Sequence, residues 1–587
     1  MKKKHSIICF WQLFPGILLL AALPLIVRLQ IVDTGLSDYP WFSGTAVQGD
    51  FFLCWKGIVL FVLSVWMIVV LGLKRLWLKE GKRQFDRAIL WLGGYLLFGF
   101  LSAAFSEEKE AAFLGIFGSY QGFVVLLCYG VTALYFMELF RQKENQKVLM
   151  GALAVGAAIQ GVIGTGQLLG IDFWNTALGR AIVAPGADNL TFRFGDSASN
   201  RVYLTAYNPN YAAVYCILVL PVLFSLIAVC KKVWEKSVLG ILCGLLFLSL
   251  WGTGSRAGIM TAAGLLVTAL LLLMRGWRTK GCVLGGLGLL ACLVWIADGA
   301  GKGNVVSNIV KSWKMSPQEY SLKNIQIEED GIRIWYKDQE ILLNLWENEE
   351  GKLMFQAQNG EGEPVSIQED EETGRYLVGP IRMLQFDVFV ENGEWNLVMY
   401  QRGIPWYFVK SSNQETFRYL TVYGKDDVIE PAPHMLFEGR EAMFSNRGYI
   451  WSRTIPLLAE TVVFGKGPDT FAVNFPQNDY VMKANLGKDT FIQAFLRPHS
   501  MYLQIAIETG AVSLVCFLAL TGTTLIRIWK KRKRNNRWNT GCFLSILGYC
   551  VMGLTNDFMI VTAPVFWAIL GMGIYGGKFL KNVGKMR

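Results

Sequence analysis

Histidine is rare in this chain, and cysteine is confined to its most apolar parts. Only three histidines occur, His5, His434 and His499, and the segment from 301 to 497 contains no cysteine. Three scattered histidines cannot supply a His-rich zinc site, and a segment without cysteine cannot be held by disulfides. A phosphate-binding loop of the GxxxxGK type is also missing. We therefore expect no metal site and no cofactor.

Charged residues are few as well, at 17%, whereas hydrophobic residues make up 53% of the chain. Apolar runs long enough to cross ~30 Å of hydrocarbon recur along the sequence and predict about twelve transmembrane helices. They lie near 7–27, 51–73, 88–105, 123–140, 148–169, 211–230, 238–251, 259–274, 282–297, 504–526, 540–554 and 561–577. Outside the segment without spanning runs, the predicted fold class is an all-α polytopic membrane protein.

The distribution of basic residues predicts which side of the membrane each loop occupies. If the N-terminus lies inside, the inner loops and termini hold 29 Lys and Arg, whereas the short outer loops hold six. Lys and Arg beside transmembrane helices stay preferentially in the cytoplasm. The sequence therefore predicts that both termini are cytoplasmic. The juxtamembrane basic clusters suit anionic lipid headgroups, and nothing indicates nucleic-acid binding.

One large segment, 301–500, lacks any spanning run and is predicted to lie outside the cytoplasm. Between 320 and 438 it has about twice as many Asp and Glu as Lys and Arg, and apolar residues alternate with polar ones in short stretches. This alternation predicts a small β-rich inserted domain. The following part, 439–500, is predicted to be helical and amphipathic. Helices 1–9 are expected within 1–300, and helices 10–12 and a cytosolic tail within 501–587.

His499 lies where this external segment returns to an apolar helix. A neutral imidazole at a membrane mouth is a candidate general base, because histidine titrates near physiological pH. An interfacial histidine with a purely structural hydrogen bond is the alternative.

Two arginines are predicted near the same membrane face. Arg256 lies in Trp251-Gly-Thr-Gly-Ser-Arg-Ala-Gly, between two short apolar runs that could also be read as one broken element. Arg447 lies just before the apolar positions of the amphipathic segment. Guanidinium groups bind phosphate oxygens bidentately, so the pair could hold a diphosphate. Alternatively, Arg256 reaches the lipid headgroups and Arg447 is a solvated surface residue.

Several short motifs occur in an order that resembles the O-antigen ligase and polysaccharide polymerase family, which acts on polyprenyl-diphosphate-linked glycans outside the cytoplasm. The motifs are Asn208-Pro-Asn-Tyr-Ala-Ala, Gly254-Ser-Arg-Ala-Gly, Arg447-Gly-Tyr-Ile-Trp, Phe464-Gly-Lys-Gly-Pro-Asp-Thr-Phe, His499-Ser-Met-Tyr-Leu-Gln-Ile-Ala-Ile-Glu-Thr-Gly, Asn556-Asp-Phe and Pro564-Val-Phe-Trp-Ala-Ile-Leu-Gly-Met. They extend over about 203–573 apart from the β-rich insert, which departs from the usual family pattern.

The resemblance implies a role for each candidate residue. Arg256 and Arg447 would bind the donor diphosphate, and His499 would act on the acceptor hydroxyl. The same motifs contain further candidate substrate contacts, which are Asn208, Asn210, Ser255 and Tyr502. The implied activity is an inverting, metal-independent glycan transfer at the extracytoplasmic face of a bacterial cytoplasmic membrane. The acceptor would be a glycan, a lipid or a cell-wall component.

Other functions stay open at the level of sequence. A ligase, a polymerase and a protein glycosyltransferase share this chemistry, and the residues do not separate them. A transporter or flippase of lipid-linked sugars is an alternative of another class, although its ionisable residues would be expected near the middle of the membrane. A structural or sensory membrane protein would leave the grouping of Arg256, Arg447 and His499 unexplained.

Overall fold

The computed structural model places helices over most of the chain and two antiparallel sheets between them. The residues it describes are 2–77, 86–186, 191–192, 194, 201–273, 276, 317–329, 331–348, 353–411, 416–532 and 537–575. The predicted ninth span, 282–297, and most of the predicted cytosolic tail lie outside these residues.

The described helices follow the apolar runs closely. They are α1 Lys2–Ala21, α2 Cys54–Trp77, α3 Arg87–Phe105, α4 Lys109–Leu114, α5 Phe123–Leu139, α6 Lys143–Leu168, α7 Ala177–Val183, α8 Pro209–Val229, α9 Val233–Gly252, α10 Arg256–Leu273, α11 Met443–Thr454, α12 Phe471–Asn474, α13 Tyr480–Leu486, α14 Lys488–Ile492, α15 Met501–Thr509, α16 Ala511–Arg532, α17 Arg537–Met552 and α18 Ala563–Tyr575. Each predicted span that falls on described residues overlaps one of them.

Six of these helices, α2, α3, α6, α8, α9 and α16, are long and apolar enough to cross a membrane. Shorter apolar helices occur at Trp11–Leu25, Phe123–Leu139, Arg256–Leu272 and Ala563–Tyr575. The chain is therefore a mostly helical protein with several candidate membrane spans, while the count of twelve and the cytoplasmic position of both termini stay predictions.

The predicted span 504–526 is divided at Gly510. This residue has φ +95°, and a Cβ atom there would lie 2.4 Å from the carbonyl oxygen of Val463. Only glycine fits such a position, because a side chain would be strained and would also collide with the backbone. The chain therefore turns between α15 and α16.

Helix α8 lies at the centre of the bundle, packed against α9, α10 and α17. Most of its side chains are buried, as expected for a helix that is apolar on every face. The close approach of α18 to α5 depends on Gly571, where a Cβ atom would lie 2.3 Å from the carbonyl oxygen of Ala133.

Helix α3 connects the two ends of the bundle. At its start Asp86 binds the Arg527 guanidinium through two hydrogen bonds of 2.5 and 2.7 Å. At its other end the Ser106 hydroxyl donates to the carbonyl oxygen of Lys466 at 2.6 Å. The second contact joins α3 to the large segment between α10 and α15, so that segment lies at the end of the bundle opposite Arg527.

The β-rich part contains two antiparallel sheets. The strands are β3 Leu322–Glu328, β4 Gly331–Tyr336, β5 Gln339–Glu347, β6 Leu353–Asn359, β7 Ile367–Glu369, β8 Tyr376–Val378, β9 Leu384–Glu391, β10 Glu394–Gln401, β11 Ile404–Ser411, β12 Arg418–Leu420 and β13 Asp426–Asp427. One sheet has the order β3-β4-β5-β6 and the other β13-β12-β11-β10-β9-β8-β7. A separate ribbon of β1 Gln30–Asp33 and β2 Val47–Asp50 lies in the first loop.

Tight turns with positive φ set the register of the longest hairpins. Asn392 and Gly393 join β9 to β10, and Arg402 and Gly403 join β10 to β11; all four residues have φ between +50° and +78°. Two-residue turns of this kind match the twist of paired strands.

The core of the β-rich part extends beyond its predicted boundary. Trp406, Phe386 and their neighbours form one buried cluster with Tyr480, Val481, Ala484 and Phe491. Those last four residues lie in α13 and α14, after residue 438. The domain boundary near 438 therefore stays a prediction, and the sheets share their core with the segment that follows.

The segment 439–500 differs from a continuous amphipathic helix. Helix α11 ends at Thr454, and a 3₁₀ helix at Ile455–Glu460 follows with Pro456 in its first turn, where the missing N–H ends the regular α-helical bonding. Buried Arg453 of α11 pairs with Glu441 and Asp479 at 3.4 and 3.0 Å. This network holds the short helices together.

Candidate active site

The candidate base lies on a strained backbone. His499 has φ +51° and precedes α15, between Pro498 and Ser500. Positive φ is unfavourable for a residue with a side chain and is found where the surrounding structure enforces it, often at functional sites. Two residues after His499, Met501 donates its N–H to the carbonyl oxygens of Gly553 and Asn556, at 2.8 and 2.9 Å.

His499 forms a pair with Asp557, which lies in the loop between α17 and α18. The Nδ1 atom of His499 is 3.0 Å from the Asp557 Oδ2 atom; the imidazole is 35% exposed, whereas the carboxylate is fully buried. Burial alone would raise the pKa of Asp557, but the charges of His499 and Arg497 and hydrogen bonds from His499 and Tyr211 hold it below its usual value. The carboxylate is thus ionised.

An ionised carboxylate only accepts hydrogen bonds, so Nδ1 of His499 carries the proton in this pair. The lone pair of the neutral ring is then on Nε2, on the other side of the imidazole. This is the tautomer that a general base requires, and a buried carboxylate partner fixes it.

Arg497 is connected to the pair through two tyrosine side chains. Arg497 donates from Nη1 to the Tyr207 hydroxyl at 2.6 Å and to the Tyr211 hydroxyl at 3.4 Å. Tyr211 in turn donates to Asp557 Oδ2 at 3.1 Å. The N-terminal turn of α8 is therefore connected to the His499–Asp557 pair through phenol groups. Tyr207, like His499, has positive φ.

Arg447 lies close to this group, in α11. The three residues that directly precede it, Phe444, Ser445 and Asn446, all have φ between +55° and +63°. Arg447 donates from Nη1 to the Phe444 carbonyl oxygen at 3.2 Å, and its buried Nε has no hydrogen-bond partner among the described residues. Burial lowers the pKa of Arg447, against the attraction of Asp557. An arginine stays protonated at neutral pH, so Arg447 keeps a positive charge that no ion pair among the described residues neutralises.

Arg256 is placed at the same end of the bundle but is connected less directly. It is the first residue of α10 and is exposed. The preceding Ser255 donates its hydroxyl to Asn210 Oδ1 at 2.9 Å, and Asn208 caps α8 by accepting from the Asn210 N–H at 2.8 Å. Asn210 is the neighbour of Tyr211, so the loop that contains Arg256 lies against the start of α8.

The remaining predicted contact, Tyr502, donates its hydroxyl to the carbonyl oxygen of Cys550 at 2.7 Å and so joins α15 to α17. The side chains of Asn208, Asn210, Ser255 and Tyr502 all have partners within the protein. Their roles toward substrate stay predictions, as do those of Arg256, Arg447 and His499.

A buried carboxylate orders the loops that surround the site. Asp469, in the motif after Phe464, accepts hydrogen bonds from the backbone N–H groups of Ile116 and Gln121, both at 2.8 Å, and from the Ser119 hydroxyl. The Gly467 N–H donates to the Glu508 carbonyl oxygen at 3.0 Å. Through the loop that contains Gly467 and Asp469, these contacts attach the loop before α5 to the end of α15. Within the described part of the chain, no cluster of three His, Cys, Asp or Glu residues could hold a metal ion.

Sequence reasoning missed Asp557, Arg497, Tyr207 and Tyr211 as site residues. A signal for one of them exists, since Asp557 is the only acidic residue after Glu508 and lies between two apolar helices. A carboxylate in such surroundings needs a partner. The tyrosines carry no comparable signal, because buried tyrosines are common in helix bundles.

Comparison with known families adds a finding that covers part of this site. Residues 397–518 match the O-antigen ligase family. The match begins within β10 and includes Arg447, Arg497 and His499, whereas Arg256 and Asp557 lie outside it. The resemblance stated from the sequence motifs is confirmed. No curated protein and no solved structure matches the chain.

The O-antigen ligase match and the apolar helices together indicate a multi-pass membrane protein. At the level of the family, they indicate a glycosyltransferase-like enzyme with lipid-linked glycan substrates and glycan acceptors. Part of the seven-stranded sheet lies within the match, so the β-rich part is not wholly separate from the matched region.

Proposed function

We propose that this protein transfers a glycan from a polyprenyl-diphosphate carrier to an acceptor hydroxyl at the extracytoplasmic face of a bacterial cytoplasmic membrane. The transfer is a direct displacement that inverts the anomeric carbon. No metal ion takes part.

The donor diphosphate is bound by Arg447, assisted by Arg256 on the adjacent loop. The bond from the anomeric carbon to the phosphate oxygen breaks, and its electron pair goes to the diphosphate. Guanidinium groups stabilise this developing charge, so no strong general acid is needed at the leaving group. The position of Arg447 supports this role, because its Nε is buried and has no hydrogen-bond partner in the described part of the chain.

The acceptor is activated by His499. Its Nε2 takes the proton of the acceptor hydroxyl while that oxygen forms the new bond to the anomeric carbon. The proton then rests on the imidazolium, which Asp557 stabilises from the Nδ1 side. The observation that carries the proposal is this pair, at 3.0 Å, beside the arginine site.

Purified full-length protein in vesicles tests the proposal. It is supplied with a glycan labelled on its reducing-end sugar, attached to polyprenyl diphosphate, and with a candidate glycan or lipid acceptor. We expect labelled product, release of free polyprenyl diphosphate and inversion of the anomeric configuration by NMR, all unchanged by a metal chelator. A product with retained configuration, or a covalent glycosyl-protein intermediate, would contradict direct displacement. The acceptor that reacts separates ligase from polymerase.

A further inference from the structure

An exposed apolar surface lies directly beside Arg447. It consists of the exposed residues Met435, Leu436 and Phe444 and the half-buried rings of Phe437 and Trp451, which we call the apolar strip. Met435 is 54% exposed, Leu436 66% and Phe444 36%. Contiguous exposed apolar groups of this kind mark binding sites for lipids or proteins rather than ordinary surface.

The strip is held against α11 by specific contacts. The Trp451 ring lies between Phe437 and Phe444, with ring centroids 5.9 and 5.7 Å away. Its indole N–H donates to the Pro498 carbonyl oxygen at 3.0 Å, next to His499 in the chain. The Met435 N–H donates to the Ser452 carbonyl oxygen at 2.9 Å. The aromatic part of the strip is thus fixed between the two candidate catalytic elements.

The loop that presents the strip is strained. Leu436 and Phe437 are consecutive residues with φ +60° and +52°, a conformation that is unfavourable for both. Strain combined with outward apolar side chains points to a ligand that covers them.

Arg447 and Trp451 are four residues apart in α11, so their side chains lie on one face of the helix. One ligand could therefore place an anionic group on Arg447 and a hydrocarbon chain on the strip, about one helical turn away. A soluble glycan has no such chain, and a phospholipid is not the donor whose diphosphate Arg447 is proposed to bind. A polyprenyl diphosphate has both parts, joined directly.

We propose that the apolar strip binds the first isoprene units of the donor's polyprenyl chain and so positions the diphosphate on Arg447. This inference rests on the proposed function, since it assigns the carrier part of the same donor. Met435 and Leu436 are positioning residues here, remote from the reacting atoms.

The test compares donors of different chain length. Met435→Ser and Leu436→Ser, singly and together, are assayed in detergent micelles with two donors. One is a glycan diphosphate on a long polyprenyl chain, and the other, the short-chain donor, has a methyl group in place of that chain and therefore no isoprene unit. Burial of one such side chain stabilises a complex enough to change affinity about tenfold or more. We therefore expect KM for the long-chain donor to rise at least about tenfold in the double variant. The short-chain donor should keep its wild-type KM, and kcat should change little.

Met383→Ser is the matched control, because Met383 is 72% exposed but lies in the β-rich part, just before β9. It should leave both donors unaffected. An equal rise in KM for both donors, or no rise for either, would overturn the assignment of the strip. A defect that occurs in vesicles and vanishes in micelles would make the strip a contact with the bilayer, which also overturns it.

Binding of a fluorescent polyprenyl diphosphate that carries no glycan separates this inference from the proposed function. If the wild-type protein transfers no glycan, the proposed function fails. If it nevertheless binds the long-chain diphosphate more tightly than the double variant does, the strip assignment still holds. If transfer occurs and the double variant binds the long chain as tightly as the wild type, the strip assignment alone is wrong.

Discussion

His499 Nδ1 lies 3.0 Å from Oδ2 of Asp557, a carboxylate that has no access to solvent. The two residues come from loops 58 positions apart in the chain, on either side of α15, α16 and α17. Backbone hydrogen bonds from Met501 to Gly553 and Asn556 fix these loops against each other. The pair is therefore built into the fold, which makes its contribution measurable by single substitutions.

Asp557→Asn should reduce transfer strongly. The amide cannot stabilise the imidazolium, and it can favour the wrong tautomer by donating to Nδ1. General acid–base catalysis contributes about 10²- to 10⁴-fold, so we expect a fall in kcat within that range, measured under saturating donor. Donor binding should change little.

Asp33→Asn, in the exposed first loop, is the control and should keep wild-type transfer. Fluorescence-detected melting of both variants monitors folding. A fully active Asp557→Asn protein would show that the carboxylate has no part in the reaction.

Substitution of His499 separates its two possible roles. His499→Ala should lose most of the rate while retaining donor affinity. His499→Gln keeps the ability to form hydrogen bonds but cannot accept a proton, so it should be as inactive as the Ala variant. The measurement is transfer rate from pH 5 to 8 for wild type and Gln variant. The wild-type rate should fall at low pH as the base becomes protonated.

If the Gln variant instead transfers glycan at the native rate and with the native pH profile, His499 orients the acceptor and is not a base. That outcome would leave the arginine assignments untouched.

The arginines should respond differently to replacement by lysine. Arg447→Ala and Arg256→Ala should abolish transfer with normal membrane insertion, and lysine should restore little because it lacks the planar fork. Arg447→Lys should restore less transfer than Arg256→Lys, since the Arg447 Nε is buried and has no partner among the described residues while Arg256 is exposed. Arg440→Ala, at an exposed position just before α11, should be neutral. Full activity of Arg256→Ala would remove that residue from the site.

Sequence patterns predicted local structure well where one physical rule dominates. Apolar length located the helices, and alternation located strands such as β4 and β10. Sequence patterns failed where packing between distant parts of the chain determines the local structure. The turn at Gly510 depends on the Val463 carbonyl oxygen, and the division of 439–500 into short helices depends on Pro456 and on contacts with the sheets.

The candidate site shows the same division. His499, Arg256 and Arg447 can be recognised in the sequence because they are ionisable residues beside apolar segments. Burying such a residue costs free energy unless it has a partner, so its presence suggests a functional role. Arg497 could be recognised only from its contacts. The isolated acidic position of Asp557 is a signal, but its partner could not be predicted, since a pairing across 58 residues leaves no spacing pattern. The strained backbone at His499 and Tyr207 is likewise a consequence of tertiary structure.

Removal of 320–438 should affect more than the excised residues. Tyr480, Val481, Ala484 and Phe491 would lose the sheet core that covers them. We expect the excised protein to insert into membranes yet to show increased proteolysis or hydrogen exchange in 480–492, measured by mass spectrometry. Wild-type protection of 480–492 after excision would show that the insert is a self-contained module.

The stability of this region should also depend on pH through Lys483. The lysine is buried, with Nζ 3.3 Å from the Gln477 carbonyl oxygen and near the rings of Tyr480 and Phe495, at 5.4 and 5.5 Å. Burial lowers its pKa to about 7, against the attraction of Asp479 and Asp427. Arg453, which pairs with Asp479, offsets part of that attraction.

The sign of the pH effect follows from proton binding. Unfolding restores the ordinary pKa of 10.5, so between about pH 7 and 10.5 the unfolded chain binds one more proton than the folded chain. The free energy of unfolding therefore rises with pH in this window, by at most ~1.4 kcal/mol per pH unit. Below about pH 7 the lysine is charged in both states, and its burial destabilises the folded state by the full amount. Lys483→Met should remove this rise and stabilise the region at pH 6 to 7, whereas Lys488→Met, at an exposed position, should retain it. The measurement is the local free energy of unfolding of 480–492, from amide hydrogen exchange at pH 6, 7, 8 and 9. If this free energy depends on pH equally in the wild type and in Lys483→Met, Lys483 does not titrate in this range.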